Sequence, residues 1–211
     1  MTTHTYTKKE EFVHAITHGI GALFSLVALV LLIFHSSING SKWDVLSVTV
    51  FGVTMFLMYL SSTVSHGLPE GKWKDLFQIF DHSCIYIFIA GSYTPLLLGP
   101  LRTESGWTFF WIVWGIAIVG VAFKFFYVKK FLVLSTVFYI LMGWLIVLVW
   151  EPLSRAFPPD SLNYLMIGGI FYTVGSVFYV WRKFIYHHAV WHLFVIAGSV
   201  FHFFSFFFYI G

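Results

Sequence analysis

"HHAVWHLFVIAGSVFHFFSFF", residues 187–207, is apolar enough to prefer lipid, yet it carries four histidines: His187, His188, His192 and His202. A run of about 20 mostly apolar residues has the length of a helix that crosses the hydrocarbon core of a bilayer. His188 and His192 are four residues apart, so on a helix they share one face. An ionisable side chain in such a segment is costly unless it has a partner. The stretch therefore poses two questions: how many such segments the chain has, and what its imidazoles face.

Composition answers the first. Of 211 residues, 59% are hydrophobic and 10% charged, where a soluble domain has about 25% charged. The balance predicts an all-α integral membrane protein. Seven stretches qualify as spans: 15–35, 45–65, 82–99, 107–123, 131–150, 162–181 and 189–210. Turn-forming residues separate them, as in "SSINGSKWD", "GLPEGKWKD" and "EPLSRAFPPDS". Residues 1–211 thus read as one seven-helix membrane domain with a short polar N-terminal segment, 1–12, and without a cleavable signal peptide. The single cysteine, Cys84, rules out an internal disulfide and a cysteine metal cluster. A net charge of +3, scattered along the chain, gives no footprint for nucleic acid.

Basic residues orient the spans. With a cytoplasmic N-terminus, the inner segments hold Lys8, Lys9, Lys72, Lys74, Lys124, Lys129, Lys130, Arg182 and Lys183, and the outer ones only Lys42, Arg102 and Arg155. An odd number of spans then places the C-terminus outside. A retinal protein would need a lysine deep in the last span, and residues 189–210 contain none. A G-protein-coupled receptor would have the opposite orientation.

Once oriented, the polar residues fall in one layer. His66 ends the second span, Asp81 and His82 begin the third, His188 and His192 begin the seventh, and Glu11, His14 and His18 begin the first. All lie at the cytoplasmic end. Ser62 and His66 share a helix face, as do His188 and His192. Imidazoles from two helices with a carboxylate nearby suit a tetrahedral Zn²⁺ whose fourth position is left to water. Iron, nickel and copper also accept such donors. Asp81 then fits a role beside the ion, holding water or taking its proton, and Ser62 could bond to either. Glu11, His14 and His18 read as an outer layer or cap on the cytoplasmic mouth, or simply as a solvated helix start. His82 and His187 point away from the ligand face, and His202 lies about 15 Å along the helix from His192, too far for the same ion. Gly91, Gly168, Gly169, Gly175 and Gly198 are expected at close helix contacts.

"SSTVSH" (61–66), "FDHSCIYIFIAGSYTP" (80–95), "HHAVWHLFVIAGSVFHF" (187–203) and "EEFVHAITHGIGA" (10–22) together resemble the signatures of the haemolysin III family, the bacterial branch of the progestin and adipoQ receptor superfamily. The resemblance covers essentially the whole chain. It implies a seven-helix bundle with a cytoplasmic N-terminus in a bacterial plasma membrane. It implies Zn²⁺ held by His66, His188 and His192, with Asp81 and Ser62 lining the water. It also implies kinship with ceramidase-type lipid hydrolysis, with red-cell lysis and with membrane-fluidity homeostasis. The long cytoplasmic domain of the animal receptors has no counterpart here.

Three functions follow as expectations. One is a metal-dependent hydrolase of an amide- or ester-linked lipid, with membrane lipids as its partners. Another is a non-enzymatic regulator of membrane state in which zinc clamps helices together. The last is a pore-forming cytolysin, against which stands the lack of ionisable residues inside the fourth to sixth spans.

Overall fold

The computed structural model describes residues 6–210, so the first five residues of the polar segment lie outside it. The chain is helical from Lys8 onward. α1 (Lys8–Asn39) starts well before its apolar stretch because Thr7 and Glu10 cap it reciprocally. The Glu10 N–H donates to Thr7 Oγ1 at 3.2 Å, and the Thr7 N–H donates to Glu10 Oε2 at 2.9 Å. Ser41 and Asp44 repeat the device at the start of α2 (Lys42–Gly67). These caps set the helix starts, whereas hydropathy marks only the lipid-facing middles.

α3 (Lys72–Leu98), α4 (Trp107–Tyr127), α7 (Pro159–Val180) and α8 (His187–Ile210) are continuous. The rod between α4 and α7 is not. α5 (Leu132–Gly143) gives way to 3₁₀ turns over Trp144–Val149 before α6 (Trp150–Ala156) resumes. The cause is the Tyr93 hydroxyl of α3, which enters the backbone ladder of this rod. It lies 3.0 Å from the Met142 carbonyl and 2.7 Å from that of Gly143, and it accepts from the Ile146 N–H at 2.8 Å. A side chain inserted between backbone partners breaks α-helical hydrogen bonding locally.

Six of the helical segments are long and apolar enough to cross a membrane: Lys8–Asn39, Lys42–Gly67, Arg102–Tyr127, Leu132–Ala156, Pro159–Val180 and His187–Ile210. α3 is long enough but interrupts its apolar residues with Asp81, His82, Ser83, Ser92 and Thr94. Seven rods are therefore present where seven spans were expected, and six meet the apolar standard. The polar one is inside: Tyr86, Phe88, Tyr93 and Thr94 of α3 are buried against its neighbours.

α1 packs on α2, α2 on α3 and α3 on α4, while α8 packs on both α7 and α1. The α5–α6 rod touches α3 and α7 more lightly. Four of the five expected glycines sit where a side chain would collide: Gly91 on Thr54, Gly168 on His202, Gly175 on Phe194 and Gly198 on Tyr172. Gly169 faces open space instead, because it lines the cavity described below. Phenylalanine, isoleucine and valine on the outer faces stay exposed, as at Ile118, Val119 and Phe126 of α4. That surface suits lipid.

Candidate metal centre

Three helices bring imidazoles to one point. The donor nitrogens of His14 (α1), His66 (α2) and His188 (α8) all lie within 4.8 Å of one another. His66 Nε2 and His188 Nε2 are 3.2 Å apart. Two nitrogens bound to one tetrahedral ion at about 2.0–2.1 Å stand about 3.3 Å apart, so this pair already has the spacing of ligands. His192, the third ligand expected from the sequence, is not among the residues whose donor atoms converge, although its ring lies beside them. Its ring centre is 4.5 Å from that of His188 and 5.4 Å from that of His66.

Hydrogen bonds determine which nitrogen is free on two of these rings. His66 Nδ1–H donates to Glu11 Oε2 at 2.5 Å. Lys74 Nζ holds the other Glu11 oxygen at 2.8 Å and reaches the Leu68 carbonyl at 3.3 Å. With its proton on Nδ1, His66 keeps a lone pair on Nε2, the atom facing His188. A carboxylate behind a metal-ligating histidine orients the ring and raises its basicity. His192 has a similar brace. Thr17 Oγ1 lies 2.9 Å from the Val13 and His14 carbonyls and 2.9 Å from His192 Nδ1. The single hydroxyl proton goes to a carbonyl, so His192 Nδ1–H donates to the oxygen and Nε2 is left unprotonated.

The other nitrogens lack such partners. Among the described residues, both nitrogens of His14, both of His18 and Nδ1 of His188 are buried with no hydrogen-bond partner. An unsatisfied buried polar group costs about 1–3 kcal/mol. Lone pairs converging without donors are what a cation would satisfy, so the residues fit a divalent metal. Tyr6 covers the cluster from the chain's start, its ring centre 4.7 Å edge-on to His14 and 5.3 Å from His188. Burial pushes the Tyr6 phenol up to about 12, which keeps it a neutral cover.

Below the cluster lies a cavity of about 150 Å³ between α3, α5, α7 and α8. Its polar end is formed by His18, Ser62, Asp81, His82, His188 and His192, and its far end by residues such as Ile89, Leu96, Ile146 and Leu165. Ser62 and Asp81 thus share a chamber with two of the expected ligands. Asp81 is not one of the residues whose donor atoms converge. Its Oδ2 sits 3.7 Å from His82 Nδ1, and that Nδ1 donates to the Gln78 carbonyl at 2.8 Å.

A family model described as "Haemolysin-III related" matches residues 6–203. The chain belongs to this family. Its haemolysin-III relatives include the hemolysin-3 homolog of Bacillus subtilis (strain 168), 50% identical over 204 residues, covering 97% of this chain and 96% of that protein. Hemolysin-3 of Bacillus cereus is 48% identical over 210 residues, covering 100% of this chain and 96% of that protein. The human monocyte to macrophage differentiation factor, an adiponectin-receptor-like protein, is 29% identical over 209 residues, covering 93% of this chain and 82% of that protein. No solved structure matches. The sequence motifs were thus a sound guide to the haemolysin III family, and the protein is a multi-pass membrane protein.

The sequence left Glu11, His14 and His18 as either an outer layer or cap on the cytoplasmic mouth, or a solvated helix start. Glu11 does stand behind His66, but His14 joins the converging donors themselves. The "HAITH" spacing of His14 and His18, identical to that of His188 and His192, was the available signal. His187 turns away as expected, its Nδ1 donating to the Phe178 carbonyl at 3.1 Å. His202 stays apart, edge-on to Tyr172 at the cavity wall.

Proposed function

We propose that this haemolysin-III protein is a zinc-dependent hydrolase of amide- or ester-linked membrane lipids, serving lipid and fluidity homeostasis in the bacterial plasma membrane. The observation that carries this reading is the meeting of imidazoles with Ser62 and Asp81 at the polar end of an otherwise apolar cavity. His66, His188 and His192 would hold the ion; His66 and His192 are already braced for it by Glu11 and Thr17. Zinc held by neutral nitrogens supplies a Lewis acid that lowers the pKa of water from 15.7 to about 7. Asp81 accepts the proton released at the cavity mouth, and Ser62 hydrogen-bonds to the head-group oxygen or to the water. The apolar far wall accepts the hydrocarbon chain and excludes bulk water from the reacting bond. We read all seven rods as spans, α3 included because its polar face lines the cavity, with the N-terminus cytoplasmic by the distribution of Lys and Arg.

Metal analysis paired with lipid turnover tests the proposal. Purified wild type is expected to carry near-stoichiometric zinc and to release fatty acid or free base from a membrane amide or ester lipid. His192→Ala is expected to lose turnover. Full zinc retention by a triple His66, His188, His192 alanine variant would remove the site. A second reading, a regulator in which the metal only clamps helices, is favoured by the presence of one more imidazole than a catalytic site needs. It predicts zinc without turnover. The names of the Bacillus relatives suggest lysis, and single-channel conductance of the reconstituted protein would support that alternative.

A further inference from the structure

We propose that His14 is a fourth imidazole ligand of this centre, and the one whose departure opens it. The proposal rests on the metal reading above and adds to it where the closing ligand comes from. The ring centres of His14, His66, His188 and His192 form six pairs, separated by 4.9, 4.8, 5.5, 5.1, 5.4 and 4.5 Å. Four points at nearly equal mutual distances are the corners of a tetrahedron. Four imidazoles bound through nitrogen to one ion at about 2.0–2.1 Å would have ring centres about 5.2 Å apart. The observed spread brackets that value. His18 is excluded by the same criterion: it lies flat on His192, ring centres 3.4 Å apart and planes 15° from parallel. Its nitrogens cannot converge with those of the ring it covers.

The four corners are held unequally. His66 is fixed by Glu11, and Glu11 by Lys74; His192 is fixed by Thr17. His188 has one nitrogen 3.2 Å from His66 and its Nδ1 without a partner. His14 has neither nitrogen hydrogen-bonded and touches the edge of Tyr6. It is therefore a ligand without a brace. A side-chain rotation of His14 would change a site closed by four protein donors into one with three and an open position, and those are the two kinds that distinguish structural from catalytic zinc. The bonds of Glu11 to His66 and Lys74 and of Thr17 to His192 do not involve the His14 ring, so its departure leaves them in place.

X-ray absorption on the zinc-loaded, full-length protein in detergent counts the imidazoles directly. Four are expected in the wild type. His14→Ala should keep stoichiometric zinc with one imidazole fewer, bind it about tenfold to a hundredfold more weakly, and in its cobalt form take up azide with a spectral change that the wild type does not show. Three imidazoles in the wild type, or identical cobalt spectra and affinities in the two proteins, would overturn the proposal and leave the metal reading intact. Absence of zinc from the wild type would overturn both. If the variant does not fold, the wild-type count decides alone.

Discussion

His14 and His18 on α1 and His188 and His192 on α8 have the same i, i+4 spacing and lie against one another across the bundle, yet they are not equivalent. His192 donates to Thr17, and His188 meets His66 at ligand spacing. His14 and His18 have both nitrogens buried with no partner, whereas His188 has only Nδ1 so placed and His192 neither. Spacing places two rings on a helix face; what stands behind each ring decides its use. The α8 pair is built to hold something. On α1, the lower ring stacks on His192, and the upper one has no hydrogen bond to hold it.

The comparison can be broken most directly at α8. His188→Ala should take zinc retained after dialysis from near one per chain to near none, and stoichiometric retention would show that the α8 pair is not the anchor. Glu11→Gln comes next. It should weaken zinc about tenfold to a hundredfold by releasing the His66 ring, read by competition with a chelator of known affinity. Glu11→Ala should in addition destabilise the apo protein by about 3 kcal/mol, because Lys74 would remain buried without its carboxylate. Thr17→Val preserves shape and removes the oxygen behind His192. A loss of about tenfold in zinc affinity is expected, and unchanged affinity would mean that His192 needs no brace. The smallest effect belongs to His18→Phe, which keeps the stacked ring and deletes two unsatisfied nitrogens. Zinc affinity should hold, and the apo protein should gain about 1 kcal/mol in thermal stability. Loss of zinc there would make the two helices equal partners after all.

Much of this was legible in the sequence. Hydropathy located the rods, and the depth of His66, His188 and His192 placed them in one layer. Three features were not legible, for physical reasons. α3 was read as a span over 82–99, yet it misses the apolar standard because the polar residues on its cavity side count against it, and hydropathy does not register which face a residue occupies. Lys74 and Lys124 were counted as ordinary basic residues of inner segments. Lys74 is buried on Glu11, and Lys124 donates to Ser135 Oγ at 2.7 Å. Long aliphatic stems let a lysine lie either way, so its position in the sequence does not decide. The braces on the ligands come from residues 55 and 175 positions away along the chain. Such pairings depend on how helices rotate against each other, which no local pattern records.

The Glu10 carboxylate that caps α1 also accepts from the Tyr186 N–H just ahead of α8, at 3.3 Å. It ties together the first described helix and the last. His66 and His188, in direct contact, are 122 residues apart. During synthesis α1 and α2 leave the ribosome long before α8 exists, so their histidines enter the bilayer without the rings they will face. The full cluster can assemble only once translation has passed residue 192, so the site is completed by the last helix made.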